Sequence, residues 1–212
     1  ATAFAADGKQ VLSFGPSASV GLALVPTGTG PTSPVAMDPV VAPSWAGFLP
    51  GGKSFLVAGA DESQGVRLWH VATANGPARA ISPPGVDARF SAGVPSPDGR
   101  TVAVAMDDGD LLFCSVEGGE PRRLATSPRA LVPIAWTDEG RKLLAFARTV
   151  PAAEVVRLDS ETGISIPVRK LGPSDPAGVI GIPTVRVTPD GRTWAWSYAR
   201  ILSELYVAEG LK

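Results

Sequence analysis

The chain has 212 residues, with 19 Lys+Arg against 20 Asp+Glu and a formal net charge of −1. It carries 24 glycines and 21 prolines but one cysteine, Cys114, and one histidine, His70. That glycine and proline content works against a helical bundle, the balanced charge removes the usual footprint of a nucleic-acid binder, and the lone Cys and His exclude an intrachain disulfide and a multi-histidine metal site.

With 44% apolar residues the chain has the composition of a folded protein, not a disordered one. Gln10 to Met37 carries no charge and is long enough to be considered as a membrane span. Pro16, Pro26, Pro31 and Pro34 break it, so no membrane insertion is expected.

Five segments repeat one pattern in chain order: FAADGKQVLSF from Phe4, FLPGGKSFLVA from Phe48, PSPDGRTVAVA from Pro95, WTDEGRKLLAF from Trp136 and VTPDGRTWAWS from Val187. Their glycines, Gly8, Gly52, Gly99, Gly140 and Gly191, lie 44, 47, 41 and 51 residues apart. A basic residue follows each one: Lys9, Lys53, Arg100, Arg141 and Arg192. In Ser96-Pro97-Asp98-Gly99-Arg100, proline presets φ for the second turn position and glycine takes the left-handed one. The pattern is therefore a hairpin turn of type I with a glycine bulge. Each turn leads into a run apolar on both faces, such as 101–106 or 142–147, which predicts a strand covered on both sides. Third strands are expected at 21–25, 66–71, 111–116, 155–159 and 204–208. Fourth strands are expected at 33–41, 78–82, 121–125 and 164–171.

Four-stranded units recurring every 40 to 50 residues predict an all-β fold, a β-propeller of antiparallel blades. A β-sandwich also has many short strands but does not require a fivefold repeated turn. The expected organisation is a single domain over 1–212 with about five repeats, either a closed five-bladed ring or part of a larger propeller. The fifth repeat reaches Lys212 with no room for a fourth strand.

The repeated turn followed by an apolar strand resembles the WD-like repeats of TolB-type propellers, over nearly the whole chain. It is clean in repeats three and five and degenerate at Ala6, Gly51 and Asp138-Glu139. The closing stretch TWAWSYARILSELYVAEGLK is similar to the C-terminal end of propellers carried by bacterial Ser/Thr protein kinases and related signalling proteins. The resemblance implies a sensor or interaction module that binds another protein, extracytoplasmic or periplasmic in location, while the single cysteine by itself suits cytosol and periplasm alike.

Candidate chemistry is thin. Gly47 to Ser54 spells the phosphate-loop pattern G-x-x-x-x-G-K-S, but strand follows where that loop needs a helix, and Pro50 removes an N–H donor. No G-x-S-x-G elbow occurs. His70 and Cys114 fall in third strands of adjacent repeats. Asp107, Asp108 and Asp110 form an acidic turn whose spacing fits no complete calcium loop. The five tryptophans, Trp45, Trp69, Trp136, Trp194 and Trp196, are expected to fill the seams between blades. No catalytic residue, metal site or cofactor is therefore expected.

In such a fold the loops joining strands two and three, and those leading to the next blade, share one face, opposite the hairpin turns. That face would carry Asp61, Glu62, Arg89, Asp107, Asp108, Arg129, Arg148 and Arg200 as candidate binding residues. The segment 172–183 is the longest such loop and is expected to cover the channel. The reading from sequence is a non-catalytic interaction or sensing module, with a small-molecule ligand as a further option. The alternative is the propeller of an enzyme, gating a separate hydrolase domain as in oligopeptidases or acting as a lactonase-like metal-dependent hydrolase.

Overall fold

The computed structural model describes residues 3–14, 21–62, 65–72, 76–89, 93–126 and 129–203. Among these described residues, eighteen strands form five antiparallel sheets taken in chain order. Blade one holds β1 (Ala3–Phe4), β2 (Gln10–Phe14), β3 (Leu22–Pro26) and β4 (Ser33–Pro34). Blade two holds β5 (Val41–Phe48), β6 (Phe55–Ala60), β7 (Val66–Val71) and β8 (Ala78–Ala80). Blade three holds β9 (Gly93–Pro95), β10 (Thr101–Ala105), β11 (Leu111–Ser115) and β12 (Arg122–Leu124). Blade four holds β13 (Leu131–Thr137), β14 (Lys142–Ala147), β15 (Ala153–Asp159) and β16 (Ser165–Leu171), and the fifth sheet pairs β17 (Val179–Val187) with β18 (Trp194–Arg200). First strands of successive sheets touch, β1 with β5, β9 with β13 and β13 with β17, which is how blades meet around an axis.

The repeated turn is the device that makes each blade. In blade one the Gly8 N–H donates to Ala5 O and the Ala5 N–H to Gln10 O, closing the hairpin. The same two bonds recur at Leu49–Gly52–Ser54, Ser96–Gly99–Thr101 and Thr188–Gly191–Thr193. The glycines sit at φ of 68° to 72° at these four turns, where a Cβ is unfavourable. Asp7, Asp98 and Asp190 accept the N–H of the basic residue beyond the glycine, so the acid in the pattern serves the turn. Repeat four departs from the expected hairpin. There Asp138 and Glu139 are themselves left-handed (φ 50° and 57°), the turn becomes a short 3-10 turn over Asp138–Gly140, and its closing bond moves to the Arg141 N–H.

Apolarity on both strand faces becomes two seams per blade. On β6, Phe55 and Val57 join Leu12, Leu22 and Val35 of blade one, while Leu56 and Ala58 join Val102, Val104 and Cys114 of blade three. On β10, Ala103 and Ala105 turn to Leu143 and Ala145 of blade four. On β14, Leu144 and Phe146 turn to Ile182 and Val185 of β17. The second strands β6, β10 and β14 are thus buried on both sides because their neighbours need them on both sides, whereas β2 and β18, in the first and last sheets, are not covered on both faces as the sequence led one to expect.

Several expectations change. The first fourth strand is only Ser33–Pro34, and residues from Val41 open β5. The segment 172–183 is not a single loop, because β17 starts at Val179 and pairs with Arg200. The third strand expected at 204–208 lies outside the described residues. Trp69 is buried in the seam of blades one and two, and Trp136 is tilted on Phe113 at 5.7 Å in that of blades three and four. Trp45 and Trp194 are half-buried against seams, but Trp196 is exposed, so it does not fill the role expected of it.

Candidate functional site

Hairpin turns of successive blades abut on one face: a Cβ on Gly99 would lie 3.6 Å from Pro50, and one on Gly140 3.5 Å from Pro97. The antiparallel order then sends the loops between second and third strands, and those leading to the next blade, to the opposite face, and all eight candidate residues lie there. Asp61 and Glu62 sit between β6 and β7, Arg89 between β8 and β9, and Asp107 and Asp108 between β10 and β11. Arg129 precedes β13, Arg148 follows β14, and Arg200 ends β18.

The structure does not gather these residues equally. Asp61 pairs with Arg67 (Nε–Oδ2 3.2 Å), and Arg200 with Asp175 (Nη1–Oδ2 3.2 Å). Asp108 and Asp110 both hold Arg123, at 2.7 and 3.1 Å, and Asp110 Oδ1 accepts the Thr126 N–H. The acidic turn is therefore occupied in fixing a loop to the fourth strand of its own blade. Arg129 reaches Ser165 Oγ at 3.4 Å, and Glu62, Asp107 and Arg129 are exposed.

The most heavily paired carboxylate among these loops belongs to a residue that the sequence did not single out. Asp87, on the loop from blade two to blade three, is 4% exposed. Arg89 grips it with Nε on Oδ1 (2.8 Å) and Nη2 on Oδ2 (2.9 Å), and Arg148 adds Nη1 on Oδ2 (2.7 Å). Burial works to raise the Asp87 pKa, but the hydrogen bonds from Arg89 and Arg148 outweigh it and hold the carboxyl at about 2, below its ordinary 3.8. Backbone bonds fix the loop itself: the Asp87 N–H donates to Ala105 O and the Asp107 N–H to Gly85 O. Asp87 is 61 residues from Arg148, so no sequence spacing signals the pair. The only local hint is the Asp-Ala-Arg order of 87–89.

Two clefts flank this triad. One of about 600 Å³ lies beside Asp87, Arg89 and Asp107 and is walled by Ser44, Val66 and Val86. The other, about 360 Å³, runs from Arg148 along the seam of blades four and five. On the hairpin face a third cleft of about 410 Å³ lies between blades three and four, where Arg122 sits 4.4 Å over the Phe113 ring.

Other candidate chemistry resolves into structure. Gly47 to Ser54 is a hairpin, with the Leu49 N–H on Ser54 O and the Gly52 N–H on Leu49 O. Cys114 is fully buried in the seam of blades two and three, and burial pushes its thiol up to about 12 from an ordinary 9.0. Burial, helped by the Arg79 charge, lowers the pKa of His70. Among the described residues no group of three or more His, Cys, Asp or Glu could hold a metal ion, and no helix is long and apolar enough to cross a membrane.

No protein-family model matches the chain, and no curated protein matches it. Solved structures do. A structure of a putative TolB from Agrobacterium tumefaciens aligns with a TM-score of 0.71 at 16% identity, over 94% of this chain and 69% of that one. The fold is that of a TolB-like β-propeller. TolB from Acinetobacter baumannii aligns with a TM-score of 0.59 at 15% identity, over 82% of this chain and 42% of that one. Hydrazine synthase from Kuenenia stuttgartiensis aligns with a TM-score of 0.61 at 16% identity, over 91% of this chain and 59% of that one. At these identities the TolB-like likeness is one of fold, and the chain spans between two fifths and seven tenths of the structures it matches. The kinase-type resemblance of the closing twenty residues falls partly on 204–212, outside the described residues.

Proposed function

We propose that this chain is a non-catalytic protein-interaction module, extracytoplasmic and built into a larger signalling or TolB-like protein, whose five repeats act as one domain and whose loop face receives a partner. The observation that supports this reading is the Asp87–Arg148 ion pair, which ties the loop between blades two and three to the loop inside blade four at 2.7 Å. Loops that would otherwise move independently become one surface, and a surface ordered before the encounter binds at lower entropic cost. Glu62, Asp107 and Arg129 stand exposed around it and are free to set charge complementarity with a partner.

The test is a pull-down from a lysate of the source organism with the native chain and a Glu62→Lys, Asp107→Lys, Arg129→Glu variant. These residues are chosen because Arg89 and Arg148 hold the loops together and their reversal would confound binding with folding. A protein retained by the native chain and lost by an equally stable variant supports the reading. A protein retained equally by both removes the loop face from it. A second reading, a propeller coupled to an enzyme, draws on the hydrazine synthase likeness. Co-purification of a catalytic subunit through the hairpin face would favour it.

A further inference from the structure

We propose that the face of blade one turned away from blade two is a further blade seam, and that its occupant is a four-stranded blade preceding blade one in the same polypeptide. This rests on the reading above that the chain is built into a larger protein.

The repeat itself identifies the face. Counted from each turn glycine, the third and fifth residues point to the blade that comes earlier in the chain. They are Phe55 and Val57 in blade two, Val102 and Val104 in blade three, and Leu143 and Ala145 in blade four, none more than 3% exposed. Their partners on the third strands, such as Val71 and Trp69 in blade two, are buried with them. In blade one the same places hold Val11 and Ser13, opposite Val25 and Ala23. None of the four is charged, yet Val11, Ser13 and Val25 are only half-buried.

The first strand adds an aromatic residue. The partner of the third position is Phe48 in blade two and Trp136 in blade four. Phe48 packs in the seam with blade one, edge-on to Phe55 at 5.4 Å. Trp136 packs in the seam with blade three, where its Nε1–H donates to Val94 O (2.8 Å). Phe4 holds this place in blade one, paired with Val11. It is 68% exposed and belongs to none of the four apolar clusters. A seam aromatic beside an apolar strand pair thus stands in water, and covering it is favourable.

Blade five is the wrong occupant. The residue that meets Trp136 from the preceding blade is Val94, opposite Ala103, and its counterparts are Gly47 and Ala135. In blade five this place is taken by Arg186, opposite Ala195. Closing the ring on blade five, or stacking a second copy head to tail, would bury the Arg186 guanidinium against a face without a carboxylate. The Phe4 ring would return less than that burial costs. A blade with a small apolar residue at that place has no such penalty, as the seam of blades three and four demonstrates.

The experiment places the photo-cross-linking residue p-benzoylphenylalanine at position 4 of the protein as the source organism makes it, and separately at position 25 on the same face. The intact mass of the native protein is read alongside. The expected result, from both positions, is a cross-link to a segment upstream of Ala1 in the same polypeptide. An intact mass no greater than that of these 212 residues overturns the reading of a larger protein, and this proposal with it. A larger mass with cross-links to blade five, to residues 204–212, to a second copy or to another protein leaves that reading standing and overturns the preceding blade. A folded protein that cross-links from neither position shows a solvated face and overturns it equally.

Discussion

A carboxylate that is 4% exposed and faces two guanidinium groups titrates differently from one in water. Asp87 is held at about 2 against an ordinary 3.8. Its folded value is the lower one, so its contribution to stability is complete above 3.8 and is lost as pH falls toward 2. The contribution is about 2 kcal/mol. Urea unfolding followed from pH 6 to pH 2 should show the native chain losing this increment between pH 4 and pH 2. Asp87→Asn should start lower at pH 6 and lack the increment. Parallel pH curves for the two proteins would show that the triad does not stabilise the fold. Glycines make a second contrast at this scale. Gly99 is left-handed at φ 71° with only ordinary contacts around its would-be Cβ, so Gly99→Ala should cost about 1 to 2 kcal/mol through the backbone alone. Gly181→Ala, in open space with an ordinary φ, should be close to neutral in the same thermal melts. The repeated glycines announced themselves in the sequence because a turn needs them at fixed offsets. Asp87 did not, because its partner is brought to it only by the closure of two further blades.

One element-level device is shared by two blades. Counted from the turn glycines, Phe55 and Val102 are equivalent, and they face Val71 and Cys114 across the sheet. The preceding residues on those third strands, His70 and Phe113, face Arg79 and Arg122 on the fourth strands. Both arginines reach into the next blade and donate to backbone carbonyls just beyond its third strand: Arg79 to Val116 (2.6 Å) and Glu117, and Arg122 to Ser160. Blade four has Ile166 at the matching place, opposite Arg157, and it is exposed. Arg79→Ala and Arg122→Ala should each lower stability by about 1 kcal/mol, because the bonds are charge-assisted but the side chains are exposed. They bridge different seams, so the double variant should show close to the sum in urea midpoints. A loss much larger than the sum would mean that the seams are coupled. The strand positions that carry these arginines were legible, since both lie in predicted fourth strands. Their task was not, because a carbonyl in the next blade leaves no mark on the sequence.

At the scale of the molecule, stability resides in four consecutive seams, each an apolar cluster shared by neighbouring sheets. The repeat, the strand order and the double-sided burial of β6, β10 and β14 were readable because one turn recurs and apolar runs lack alternation. Loop paths were not readable, since 172–183 has no periodic signal and its glycines and prolines disguised the start of β17. A molecule that is a sum of neighbouring contacts should respond to damage locally. Leu143 is fully buried in the seam of blades three and four, among Ala103, Leu111 and Leu158. Leu143→Ala should cost roughly 2 to 5 kcal/mol through lost transfer energy and the cavity left behind. Amide exchange should then quicken most in β10, β11, β14 and β15, while β2 and β3 of blade one keep their protection until global unfolding. If protection instead falls by the same factor in every blade, the sheets unfold as one cooperative unit and the nearest-neighbour description is wrong. The Asp87 triad would explain that outcome, since it ties the loop between blades two and three to blade four. Repeating the measurement on Leu143→Ala combined with Asp87→Asn would then restore the local response.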